Sequence, residues 1–70
     1  MTDAEIVAYN LGVRVVAAIG PTASPGTTLA QWAASMIHDR ERAALARLGP
    51  GAFWTWVDRG RADAMAKAAR

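Results

Sequence analysis

Apolar side chains crowd the first third of the chain. From Ile6 to Ile19 the only strongly polar residues are Asn10 and Arg14. Ile6, Tyr9, Val13 and Val16 form one stripe at helical spacing; Val7, Leu11, Val15 and Ile19 form a second. A surface helix ordinarily carries one apolar stripe roughly 100° wide, whereas a helix apolar nearly all round expects cover on several sides. A chain of 70 residues has little protein with which to supply that cover. The first stripe is therefore expected in the core. The second (Val7, Leu11, Val15, Ile19) is expected to pair with another copy of the chain, as a homodimer.

The ends of this segment fit a helix over about residues 3–19. Thr2-Asp3-Ala4-Glu5 reads as a capping box, with Thr2 covering a backbone N–H and Glu5 reaching back. The β-branched content also suits a strand, but strict alternation is absent. Gly12 costs about 1 kcal/mol in a helix interior, a cost offset if it admits a second helix at close range. Residues 20–27 hold Gly20, Pro21, Pro25 and Gly26 and read as a loop.

A second helix is expected over about residues 28–48, opened by a capping box at Thr28–Gln31. Leu29, Trp32, Ala33, Met36 and Ile37 form its first apolar face, and Ala44, Leu45 and Leu48 its last. Between them His38-Asp39-Arg40-Glu41-Arg42 is polar all round and reads as solvated. Gly49 supplies a left-handed cap and Pro50 forbids continuation. A third helix follows over about residues 51–69, with Pro favourable at its start. Gly60 is its weak point, where a kink is expected. Asp63 and Lys67 stand at i, i+4 in the better orientation for an ion pair.

These elements predict a single all-α domain over residues 1–70: three helices, with the second and third forming an αα-hairpin about Gly49-Pro50. The expected core is Ile6, Val13, Val16, Leu29, Trp32, Met36, Ile37, Leu45, Leu48, Phe53, Trp56 and Val57.

Composition narrows the function more by exclusion than by signature. There are no cysteines and one histidine, so disulfides and thiolate metal sites are excluded. His38 and Glu41 lie three apart, but bundle metal sites gather several carboxylates and histidines from facing helices. No metal, cofactor or catalytic residue is expected. The net charge of +2 mixes acids with bases, unlike the concentrated basic face of most nucleic-acid binders. The third helix also presents Phe53, Trp54 and Trp56 where a DNA-reading helix presents polar groups. The apolar run breaks at Gly20-Pro21 and falls short of the roughly 20 residues that span a bilayer. The acidic start (Asp3, Glu5) lacks the basic segment of a secretory signal, and a cytoplasmic location is expected.

What remains is a non-catalytic interaction module: a small adaptor, subunit or inhibitor, with phage-encoded inhibitors among the examples of this class, docking a helical surface on a larger protein or complex. Arg40, Glu41, Arg42, Trp54 and Arg59 are the expected contact residues. Trp54 and Trp56 point in different directions on one helix, so two arrangements are expected equally: one buries and the other lies over a neighbour or waits for a partner, or both cover the core of an undersized domain. Arg14 is expected either to pair with an acid in the bundle or to carry its head to solvent over its apolar stem. Two alternatives are a nucleic-acid-associated protein using the arginines with Trp54, and a small subunit of a membrane-associated complex using the first helix.

Overall fold

The computed structural model describes residues 1–19 and 37–68, with the side chain of Ile19 outside that description. Among the described residues the chain is all-α. The helices described are α1 (Asp3–Ile19), α2 (Asp39–Leu48) and α3 (Pro50–Ala68). The expected loop at 20–27, the Thr28–Gln31 box, the expected core positions Leu29, Trp32 and Met36, and the last residue of the expected third helix, 69, lie outside the described residues.

The start of α1 is built as the capping box requires. The Thr2 backbone N–H donates to Glu5 Oε1 at 2.7 Å, and the Glu5 N–H donates to Thr2 Oγ1 at 3.2 Å. Between them they satisfy donors that a helix terminus leaves without an internal partner.

The expected second helix is not continuous through residue 38. His38 has extended backbone angles (φ −93°, ψ 170°), and α2 begins after it. Glu41 accepts the His38 backbone N–H at 3.1 Å, so the polar stretch starts a helix instead of running through the middle of one. At the other end Gly49 has φ 82°, a region that L side chains rarely adopt. Its ψ of 158° departs from the expected left-handed helical cap because the chain turns directly into α3. The Gly49 N–H donates to the Leu45 carbonyl at 2.9 Å, and its own carbonyl accepts from the Phe53 N–H at 3.0 Å. One residue thus closes α2 and opens α3, and Pro50 sits where its missing N–H costs nothing.

The most extensive packing joins α1 to α3, then α1 to α2, with least between α2 and α3. The core comprises Ala4, Ala8, Leu11, Val15, Ala44, Phe53 and Val57, flanked by half-buried Val7, Ile37, Leu45, Leu48, Trp54 and Trp56. Val16 is buried as expected of the first α1 stripe, but most of the expected assignment of the two stripes is reversed. Leu11 and Val15, expected to face a second copy, are buried within the chain, while Ile6 and Val13, expected in the core, are 42% and 37% exposed.

Small residues explain the reversal. Ala4, Ala8 and Gly12 recur every fourth position and form a flat face along α1. A Cβ built on Gly12 would fall 2.7 Å from the Arg61 backbone nitrogen and closer still to the Val57 carbonyl oxygen. One built on Gly60 would fall 2.8 Å from the Tyr9 carbonyl carbon. The two helices therefore cross backbone to backbone at paired glycines. Leu11 and Val15 flank the flat face and enter the core with it; Ile6 and Val13 are carried outward. Gly60, expected to kink α3, lies within a continuous helix, where its missing side chain admits α1.

Candidate interaction surface

Arg14 projects from α1 and donates to Glu41 Oε1 at 2.8 Å, the first of the two arrangements expected for it. The same oxygen accepts the His38 N–H. Glu41 is only 7% exposed. It is therefore a structural carboxylate joining α1 to the first turn of α2. This corrects its assignment as a contact residue and the reading of residues 38–42 as solvated on every side. Burial of a paired, hydrogen-bonded carboxylate is tolerated where a lone one is not.

The other expected contact residues do not form one surface. Arg40 and Arg42 are exposed on α2, but two residues apart on a helix they point about 200° from each other. Trp54 is half-buried with its ring edge-on to Phe53, centroids 5.0 Å apart. The Arg59 guanidinium lies 4.8 Å from the centre of the Trp56 ring. Both tryptophans are half-buried against the core, which matches the arrangement in which both cover it and not the one in which one stays free. Phe53 and Val57 take the fully buried positions, and Trp54 and Trp56 cover the two sides of that pair.

Several cations are committed within the chain. Besides Arg14 and Arg59, Arg61 is folded down to 13% side-chain exposure, 3.9 Å from Asp58. Its Nε is buried with no partner among the described residues. Asp63 does not pair with Lys67 as expected; it accepts the Tyr9 hydroxyl at 2.5 Å. Donation to that carboxylate holds the Tyr9 phenol above its ordinary titration range. Glu5 is held below the usual carboxylate range, chiefly by the Thr2 backbone N–H, with burial acting in the opposite direction.

Among the described residues a groove lies between α1 and α2. Asp3, Ala4, Ile6 and Val7 line one side; Arg40, Ala43, Ala44 and Arg47 line the other. A smaller recess adjoins it, lined by Val7, Asn10, Leu11, Arg14, Arg40 and Glu41. The floor is alanine and valine. Arg40 and Arg47 stand seven apart, on one side of α2 and about 10 Å along its axis. Arg40, Ala43, Ala44 and Arg47 follow the i, i+3, i+4, i+7 spacing of one helix face. That signal was present in the sequence, but the large side chains of Trp54 and the local charge of Arg42 drew the assignment elsewhere. Of the groove's lining residues only Arg40 was expected as a partner contact and Val7 for self-association; Asp3, Ala4, Ile6, Ala43, Ala44 and Arg47 were not expected at a binding surface.

Among the described residues no cluster of three or more His, Asp or Glu side chains is arranged to hold a metal ion. No helix among them is long and apolar enough to cross a membrane. Compared with known proteins, the chain matches no family model, no curated protein and no solved structure.

Proposed function

We propose that this protein is a non-catalytic interaction module, an adaptor, subunit or inhibitor that docks on a larger protein. The carrying observation is the α1–α2 groove, with its small apolar floor and its two arginines one face apart. Alanines at positions 4, 43 and 44 leave room for a helix to approach closely. Arg40 and Arg47 favour an occupant with carboxylates two turns apart. The preferred partner is therefore an amphipathic helical segment with an acidic edge. The chain also associates with itself through α1.

A nucleic-acid partner would draw on the same arginines. It is the weaker reading because Arg14, Arg59 and Arg61 are turned to contacts inside the chain, which leaves little of a basic stripe. Its signature is binding that falls steeply with salt.

The test places a photo-crosslinking residue at Ala43 or at Ala62, on exposed positions of α2 and α3. A captured protein is then purified and its affinity measured directly. Capture confined to position 43, with affinity lowered about tenfold or more by the double substitution Arg40→Glu/Arg47→Glu, is the expected result. Equal capture at both positions, or an affinity insensitive to charge reversal, overturns the proposal.

A further inference from the structure

We propose that α1 pairs with α1 of a second copy, in opposite directions, along Ile6, Asn10, Val13 and Ala17, with the two-fold axis passing at Asn10. This rests on the self-association part of the reading above and specifies the surface and geometry that carry it.

These four side chains are exposed, and Ile6 and Val13 are the large apolar ones among them. They are spaced by four, three and four residues, the a/d spacing of a helix that packs on another helix. At about 100° per residue they fall within an arc of about 60°, on the side of α1 away from Ala8, Gly12 and Val15. Ala17 narrows one end of the stripe and allows close approach there.

Asn10 occupies an a-type position at the middle of the stripe. It makes no side-chain hydrogen bond to another described residue. A carboxamide offers both donors and an acceptor, so two of them facing across a two-fold axis satisfy each other. A polar residue at such a position selects one register at some expense in stability.

Charge decides the direction. The first turn of α1 carries Asp3 and Glu5, and the last turn carries no basic residue. Parallel pairing would set Asp3 beside Asp3 and align the two helix dipoles. Opposed pairing separates the two acidic ends and lets the dipoles compensate. The seam is short. A 17-residue helix is about 25 Å long, and a single seam of that length falls below the ~1,200 Å² of a typical stable interface. The dimer is therefore weak and forms with rising concentration.

The chain has no cysteine, so one introduced thiol can form a disulfide only between copies. Sedimentation of the wild type from micromolar to millimolar concentration is compared with that of Val13→Glu. Single-cysteine variants are oxidised in parallel. The expected results are a concentration-dependent wild-type dimer, a monomeric but fully helical Val13→Glu, and efficient covalent dimers of Asn10→Cys. An equimolar mixture of Ile6→Cys and Val13→Cys should cross-link better than Ile6→Cys alone. A dimer that survives Val13→Glu and leaves Asn10→Cys unlinked overturns the seam while keeping self-association. Preferential linking of Ile6→Cys to itself overturns the direction. A wild type that stays monomeric throughout overturns self-association itself, and with it the seam.

Discussion

Replacing Gly12 with alanine tests the crossing on which the fold depends. In an exposed helix interior this change would stabilise the chain by about 1 kcal/mol through helix propensity. At Gly12 the new methyl group would meet the Val57 carbonyl and the Arg61 nitrogen, both backbone atoms. No rotamer change relieves such a contact, so α3 must move away from α1. Overpacking of this kind typically costs ~1–3 kcal/mol. Opening the interface by even 0.5–1 Å also forfeits roughly a quarter to a half of each dispersion contact it loosens, and Leu11, Val15, Phe53 and Val57 all lie in the core it loosens. The cost therefore belongs at the upper end of that range, and the net loss is about 2 kcal/mol. For a domain of this size that is a fall in Tm of about 8–16 °C. It is also a substantial part of the ~4–10 kcal/mol of total stability that a chain this long commands. Thermal and urea unfolding followed by far-ultraviolet circular dichroism would measure it. Gly51→Ala is the control, since open space surrounds Gly51, and it should melt at or slightly above the wild type. A Gly12→Ala protein as stable as the wild type, beside a well-behaved control, would refute the backbone-to-backbone crossing.

Three further outcomes follow from the side-chain pairings. Glu41→Ala removes the partner of both Arg14 and the His38 N–H and should destabilise the chain by about 1–2 kcal/mol. That is less than the loss of a fully buried pair, because Arg14 is 37% exposed, and a double-mutant cycle with Arg14→Met in urea unfolding measures the coupling. The protein has one tyrosine, so its ultraviolet titration reads Tyr9 alone. The midpoint should lie above 10 in the wild type and fall toward 10 in Asp63→Asn. Because the folded value is the raised one, the contribution of Tyr9 to stability is fully present below pH 10 and is lost as the pH rises through that midpoint. Glu5 has the opposite sign: its folded value is lowered, so its contribution is present above about pH 4.5 and lost as the pH falls through the folded value. Glu5→Gln should therefore flatten the dependence of the urea midpoint on pH in that acidic window.

Local features of the fold were legible in the sequence because local chemistry fixes them. Thr2 and Glu5 mark the start of α1, and Gly49-Pro50 marks the turn into α3. Gly12 signalled a close approach. The orientation of α1 was not legible from hydrophobicity, because its two stripes are almost equally apolar. The deciding pattern is the absence of bulk at Ala4, Ala8 and Gly12, which matters only when paired with Gly60 on another helix. Glu41 was misplaced for a similar reason. A carboxylate amid charged neighbours looks solvated until Arg14, 27 residues earlier, is found to face it. The α1–α2 groove was half legible: the spacing of Arg40, Ala43, Ala44 and Arg47 was readable on α2, but the opposing wall of Asp3, Ala4, Ile6 and Val7 appears only when the helices are packed.

The orientation of α1 underlies the core, the groove and the dimer seam alike, and thiol reactivity measures it directly. Ala8→Cys and Val13→Cys would be labelled in separate cysteine-free backgrounds, in dilute native solution and again in denaturant. Ala8 is fully buried and Val13 is 37% exposed. The account predicts that Cys at position 13 reacts at nearly its denatured rate, while Cys at position 8 is protected until the chain unfolds. Comparable rates at the two positions, or protection at 13 with reactivity at 8, would contradict it.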